Sequence, residues 1–99
     1  MIKKQFVKTR NTTKVTFELS KDVKAEAVHL IADFNDWNPV SFEQLKSGKW
    51  KLVQELEPSQ QYQFRYVIEQ NGIKEYINDP EADNIIPNDQ GTENAVLQA

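Results

Sequence analysis

The single histidine and the carboxylates are the residues whose chemistry could support catalysis. His29 lies inside the apolar run Val28 to Ala32, and no acid, base or metal ligand adjoins it in the sequence. A lone histidine of this kind is typical of a structural position on a strand. Glycoside hydrolysis needs two carboxylates held across a cleft. The candidates by residue type are Asp33, Asp36, Asp79, Asp83 and Asp89.

These aspartates lie in segments rich in turn residues, where carboxylates commonly bond to backbone amides. A chain of 99 residues also has little room for a cleft with several sugar subsites. The segment Asp79 to Asp89 lacks the regular spacing of a calcium loop. Cysteine is absent, which excludes disulfides, thiol catalysis and thiolate ligands. We therefore expect no catalytic residue, no metal and no cofactor, and predict that the chain is not an enzyme.

The overall charge argues against two classes of partner. The chain has 12 basic and 15 acidic residues, a formal net charge of −3, and no clustered basic face, so nucleic-acid binding is not expected. No apolar stretch approaches membrane-spanning length. No hydrophobic signal segment follows Met1. Together with the lack of cysteine, these features predict a cytoplasmic protein with no membrane partner.

Aromatic residues offer a second kind of chemistry, because flat rings stack on the apolar face of a sugar. Most aromatics follow strand alternation and are predicted to be core residues, including Phe6 and Trp50. Trp37 differs, because it lies in the turn-like run Phe34-Asn35-Asp36-Trp37-Asn38-Pro39. Such an indole either closes the end of the domain or faces a ligand. The local pattern favours burial but leaves both alternatives open.

The elements that must position these residues follow a period of two. Val15, Phe17 and Leu19 alternate with polar residues, and Tyr62 to Glu69 and Trp50 to Leu56 do the same. This alternation is typical of half-buried strands. Asn71-Gly72 is a strong hairpin signal. Residues 80–93 are rich in Asp, Asn, Pro and Gly and are predicted to form a long ordered loop, followed by a last strand.

The pattern predicts one all-β domain over residues 1–99, an antiparallel sandwich of about seven or eight strands. The first strand is expected at Lys3 to Thr9. Its pairing partner, in this chain or in another, stays open.

Residues 25–98 resemble carbohydrate-binding module family 48, which includes the glycogen-binding domain of the AMP-activated protein kinase beta subunit and the amino-terminal modules of branching enzymes and isoamylases. Four pieces match in order, and they are Val28 to Pro39, Trp50 after a glycine-containing turn, Tyr62 to Val67, and Asp79-Pro80 with Asp89 to Asn94. The resemblance implies an immunoglobulin-like early-set sandwich.

The resemblance also implies a sugar site, residue by residue. Trp37 matches the first stacking tryptophan, and Tyr76 replaces the second. Arg65 stands where the kinase domain has a lysine, and its phase directs it away from the face that carries Tyr62, Phe64 and Tyr66. Gln90 replaces a leucine beside the sugar. The predicted carbohydrate-binding set is completed by two polar residues of the closing loop, Thr92 and Asn94, of which Asn94 is the better hydrogen-bonding candidate.

Two functions follow from the resemblance. The first is non-catalytic binding of an α-1,4-glucan such as glycogen, starch or a maltooligosaccharide, with a glucan-metabolising enzyme as a further partner. The alternative is a protein-interaction or structural sandwich that has lost sugar binding and is accessory to such an enzyme or to a kinase. Exposure discriminates them, because a buried Trp37 with Tyr76 turned away from it would favour the alternative.

Overall fold

The alternating segments form β-strands in a computed structural model, which describes residues 1–99. Eight strands have four residues or more, and two short bridges, β4 and β5, complete the set. In chain order they are β1 (Ile2–Val7), β2 (Thr12–Leu19), β3 (Ala27–Ala32), β4 (Val40–Ser41), β5 (Glu43–Gln44), β6 (Trp50–Leu56), β7 (Gln61–Gln70), β8 (Ile73–Ile77), β9 (Asn84–Pro87) and β10 (Glu93–Gln98).

The strands form two antiparallel sheets that pack face to face. One sheet has the order β1-β2-β6-β5, and the other has the order β4-β3-β7-β10-β9, with β8 also paired to β7. The predicted all-β, immunoglobulin-like sandwich is thus confirmed. The only helical segment is one 3₁₀ turn, Asp33–Asn35, so the structure has no helix that could span a membrane.

Aromatic rings from both sheets meet in the core. Phe17 on β2 lies 5.4 Å from Phe64 and 6.3 Å from Tyr66 on β7, measured between ring centroids. Phe42 meets Tyr66 edge to face at 5.6 Å. Each fully buried ring of this size contributes about 1.5–3 kcal/mol. The core assignment of Trp50 is confirmed, because this residue is 5% exposed.

Two sequence-based expectations are wrong in detail. Phe6 pairs with buried Thr13 and so has the phase of a core residue, but it is 53% exposed because β1 is an edge strand. Residues 80–93 are not a continuous loop, since β9 lies within them and pairs with β10 in the register Ala95↔Ile85. This strand was not predicted because Ile85 and Ile86 are flanked by residues that are typical of turns.

The first strand is shorter than expected and pairs within the chain. It covers Ile2–Val7 rather than Lys3 to Thr9, and it is antiparallel to β2. Lys4 on this strand also bonds to Asp83, which precedes β9, with Nζ to Oδ2 at 2.6 Å. This contact ties the edge of one sheet to the other.

Strand β7 organises the second sheet. Strand β3 pairs along one of its sides, while β8 and β10 divide the other side between them. The predicted hairpin after β7 is confirmed, with Asn71 and Gly72 at φ values of 53° and 76°. A turn with two left-handed residues matches the twist of the strands that it joins.

Candidate functional site

A groove of about 600 Å³ lies on the outer face of the second sheet. Five of the six residues predicted for sugar binding line it, and Thr92 does not. The five are Trp37, Arg65, Tyr76, Gln90 and Asn94, and the remaining lining residues are Ile31, Gln63, Pro87, Asn88 and Asp89. The fold therefore brings together side chains that are up to 57 positions apart, Trp37 and Asn94 being the extremes of the predicted set.

Arg65 lies on the floor of the groove because of the phase of β7. Its neighbours Phe64 and Tyr66 are fully buried between the sheets, so the side chain of Arg65 is directed to the outer face. Strand β10 pairs with β7 up to Phe64, and β8 pairs with it from Tyr66 onward. Arg65 thus occupies the junction between β10 and β8. Its predicted outward direction is confirmed.

Arg65 and Tyr76 form one unit. The Nη2 of Arg65 donates to the carbonyl of Tyr76 at 3.2 Å, and its Cζ lies 5.6 Å from the centroid of the Tyr76 ring. This is the geometry of a cation–π contact. No carboxylate forms a salt bridge with Arg65, and its Nε is buried without a partner. Tyr76 itself is 48% exposed.

Trp37 reaches the groove through an unusual turn. After the 3₁₀ turn Asp33–Asn35, both Asp36 and Trp37 have left-handed backbones, with φ values of 58° and 62°. The N–H of Trp37 donates to the carbonyl of Ala32 at 2.8 Å, which closes the turn. A left-handed conformation costs about 1–2 kcal/mol for a residue with a side chain. The indole is 40% exposed and lines the groove, so it does not close the end of the domain.

Phe34 anchors the base of this turn. Its ring packs edge to face against Tyr62, with centroids 5.5 Å apart. The same run of residues therefore supplies one ring that packs against the core and one that faces outward.

Asn88 organises the loop on the opposite wall. Its Oδ1 accepts from the backbone N–H groups of Gln90 and Thr92, at 2.9 and 3.1 Å. Its Nδ2 donates to Thr92 Oγ1 at 2.7 Å and to Asn94 Oδ1 at 3.0 Å. The hydroxyl of Thr92 thus holds the loop and does not line the groove.

Sequence reasoning missed Gln63 and Asn88. Gln63 lies two residues before Arg65 on the same strand, so the outward phase of β7 was the available signal. Asn88 begins the run Asn-Asp-Gln-Gly, in which Gly91 has a φ of 78°, and an asparagine at the start of such a turn commonly bonds to the following backbone. The pairing of these two residues with Asn94 had no local signal.

His29 has partners, contrary to the expectation from sequence. Its Nε2 contacts Glu69 Oε2 at 2.8 Å, and its Nδ1 contacts Ser41 Oγ at 3.2 Å. A carboxylate only accepts, so Nε2 carries a proton in this contact. The three residues link β4, β3 and β7 across the sheet, and none of them lines the groove. They were missed because cross-strand register decides which side chains meet.

The groove combines two exposed rings, one guanidinium, several carboxamides and one carboxylate. Nowhere in the chain do three or more His, Cys, Asp or Glu side chains converge in a group that could hold a metal ion. Rings with a few hydrogen-bonding groups around them can bind a ligand that has both apolar faces and polar edges.

Known structures of a glycogen-degrading virulence factor and of pullulanases contain domains with this fold. The catalytic module of SpuA, a glycogen-degrading pneumococcal virulence factor, matches with a TM-score of 0.71 and 18% identity, over 100% of this chain and 16% of that one. A pullulanase from Bacillus acidopullulyticus gives 0.63 and 15%, over 99% and 12%. A mutant pullulanase from Paenibacillus barengoltzii, complexed with maltotetraose, gives 0.59 and 19%, over 85% and 13%.

The chain thus spans only 12% to 16% of the length of these three proteins. At such low identities the likeness shows the fold alone. No single curated protein sequence matches the chain significantly.

A family model gives the assignment. The model described as carbohydrate-binding module 48, the isoamylase N-terminal domain, matches residues 7–82, which is more than half of the chain. The match includes Trp37, Arg65 and Tyr76 and ends before the loop that carries Gln90, Thr92 and Asn94. The chain belongs to carbohydrate-binding module family 48.

Proposed function

We propose that the groove binds an α-1,4-glucan, such as glycogen, starch or a maltooligosaccharide, and that the domain does so without catalysing a reaction. The observation that carries the proposal is the placement of two exposed rings, Trp37 and Tyr76, on the same groove as the guanidinium of Arg65, which has no salt-bridge partner. Trp37 follows β3 and Tyr76 lies on β8, so the rings come from opposite sides of β7. The rings would stack on glucose units while Arg65 donates to hydroxyl oxygens.

The dimensions of the groove agree with a short stretch of sugar chain. Its volume of about 600 Å³ lies within the range of ligand sites in proteins, about 300–1,000 Å³. The groove is open rather than enclosed, because its floor is the surface of a sheet and its walls are two loops and a strand. An open groove admits an internal segment of a polymer as well as an end.

The choice of glucan rests on the family and on the named relatives. One structural neighbour degrades glycogen, and another is a pullulanase whose structure contains maltotetraose. A domain of this family would hold such a polymer near a glucan-metabolising enzyme, in the same chain or in another. The alternative, an interaction domain without a sugar site, is less favoured because Trp37 is exposed and Tyr76 lines the same groove.

A titration with maltoheptaose tests the proposal, and the chain contains its own control. Trp37 is exposed and Trp50 is buried, so the indole N–H signal of Trp37 is expected to shift in an NMR titration while that of Trp50 stays. Trp37→Ala is expected to weaken binding by about 2 kcal/mol or more, roughly thirty-fold.

Cellohexaose, which has β-1,4 linkages, controls for the geometry of the polymer. A folded protein that gives no response at millimolar maltoheptaose would contradict sugar binding. An equal response to cellohexaose would contradict the specificity for α-linked glucan.

A further inference from the structure

A chain of three carboxamides runs along the groove from the loop to the sheet. The Nδ2 of Asn88 donates to Asn94 Oδ1 at 3.0 Å, and the Nδ2 of Asn94 donates to Gln63 Oε1 at 3.0 Å. All three residues line the groove. Asn94 is buried, and both ends of its carboxamide are engaged within the protein.

The direction of this chain is fixed at its start by the backbone. The Oδ1 of Asn88 accepts from the N–H groups of Gln90 and Thr92, and a backbone N–H can only donate. The Nδ2 of Asn88 must therefore face Asn94 and meet its oxygen. The same reasoning then places the Nδ2 of Asn94 against the oxygen of Gln63.

The last group in the chain has no partner in the protein. With its Oε1 occupied by Asn94, Gln63 presents its Nε2, which carries two donors. No side chain or backbone carbonyl accepts from this Nε2. Gln63 lies beside Arg65 on the outer face of β7, and both residues line the groove. The floor of the groove thus combines the Nε2 of Gln63 with the guanidinium of Arg65. The nitrogen atoms of both groups donate hydrogen bonds and cannot accept them.

We propose that Gln63, not Asn94, is the carboxamide that contacts the glucan, and that Asn88 and Asn94 are positioning residues which hold its Nε2 as a donor. This inference rests on the proposed function. It also identifies which atoms of the ligand are recognised at the floor, because Gln63 and Arg65 both require oxygen acceptors. A hydroxyl held there accepts from the protein and directs its own proton elsewhere.

The two carboxamides can be distinguished by NMR with maltoheptaose as the probe. The side-chain NH₂ signals of Gln63 are expected to shift on titration, while those of Asn94, already bonded within the protein, stay near their starting positions. Gln63→Met is expected to weaken binding about three- to tenfold, the loss that corresponds to one hydrogen bond. Gln61→Met is the matched control, since Gln61 lies on the same strand and face but not in the groove.

A second variant tests the positioning role without sugar. Asn94→Asp keeps the oxygen that accepts from Asn88 but replaces the donor facing Gln63 by an acceptor. The Gln63 carboxamide should then turn over to donate to the new carboxylate. Its NH₂ signals should move in the free protein and no longer respond to maltoheptaose.

The outcomes separate the inference from the proposed function. If the wild type binds maltoheptaose and Gln63→Met binds it with the same affinity, the inference is wrong but glucan binding still holds. The same conclusion follows if the side-chain signals of Asn94 respond to the sugar and those of Gln63 do not. Free-protein Gln63 signals that are unaffected by Asn94→Asp also overturn it. Absence of any wild-type response to maltoheptaose contradicts both.

Discussion

The guanidinium of Arg65 lies over the ring of Tyr76, 5.6 Å from its centroid, and donates to the Tyr76 carbonyl at 3.2 Å. One residue is on β7 and the other on β8, so the contact joins the floor of the groove to its wall. A ring has two faces, and the arginine covers only one of them. The contact with Arg65 therefore fixes the position of the Tyr76 ring while leaving the residue 48% exposed.

The size of the second ring is expected to limit affinity. Tyr76→Trp enlarges the flat surface and strengthens the cation–π contact, because tryptophan has the strongest ring quadrupole for a cation. We expect maltoheptaose to bind about two- to fivefold more tightly, a gain of about 0.5–1 kcal/mol, measured by calorimetry. Tyr76→Phe is the control for stacking, because it keeps the ring that Arg65 contacts and removes only the hydroxyl. Unchanged binding by Tyr76→Ala would contradict a stacking role.

The left-handed backbone at Trp37 is expected to lower the stability of the domain while it directs the indole into the groove. Asparagine tolerates a left-handed backbone better than alanine does, and neither has an indole. Trp37→Asn should therefore be more stable to urea than Trp37→Ala, by about 1 kcal/mol, and maltoheptaose binding should be weakened to a similar extent in both. Equal free energies of unfolding for the two variants would show that the backbone at Trp37 carries no strain.

A buried pair is expected to stabilise the end of β8. The Tyr66 hydroxyl donates to Asp79 Oδ2 at 2.7 Å, and Asp79, which is 1% exposed, also accepts from the N–H of Glu81 at 2.8 Å. Burial raises the pKa of the Tyr66 phenol, and the Asp79 carboxylate raises it further.

Tyr66→Phe leaves this buried carboxylate with one donor fewer, so we expect the free energy of unfolding to fall by about 1–3 kcal/mol. Tyr62→Phe is a matched control, because the Tyr62 hydroxyl donates to a backbone carbonyl in an exposed setting at 3.2 Å. Urea denaturation of both variants checks the difference. A loss in Tyr66→Phe no larger than that in Tyr62→Phe would contradict the role of the pair.

Asp83 is expected to link stability to acid pH. Burial alone would raise the pKa of this carboxyl, but hydrogen bonds from Lys4 and from the N–H of Gln98, together with the charge of Lys4, lower it below its ordinary value of 3.8. The folded-state pKa is thus below that of the unfolded chain. The stabilisation is therefore fully present above about pH 4 and is lost as the pH falls through the folded-state value.

Asp83→Asn removes the titrating group and the charge that Lys4 pairs with. The variant should be less stable than the wild type near neutral pH, and the difference should shrink as the pH falls below about 4. Urea denaturation over a series of pH values measures both. A difference that stays constant across the acid range would contradict the linkage.

Much of the fold could be predicted because its signals are local. Strict alternation fixes which side of a strand is buried, and this was sufficient to direct Arg65 outward and Phe64 and Tyr66 inward. The hairpin at Asn71-Gly72 follows from two residues that adopt left-handed conformations readily. Phe6 was misjudged because alternation gives the face of a residue but not whether another element covers it.

For the candidate site too, some features could be predicted from the sequence and others could not. Trp37, Arg65, Tyr76, Gln90 and Asn94 could be named from residue types and from the resemblance, and the fold gathers them on one groove. Whether Trp37 would close the domain or face a ligand could not be read from the chain, because the answer depends on the left-handed turn that carries it.

The sequence by itself determined the all-β class, the inward and outward faces of its long strands, and the kinds of side chain available to a ligand. Only the tertiary structure decided which of these side chains touch. Gln63 and Asn94 are 31 residues apart and His29 and Glu69 are 40 apart, and β9 gains its partner from β10. Such contacts depend on strand register and loop path, which are set by the packing of the whole sandwich and leave no mark in neighbouring residues.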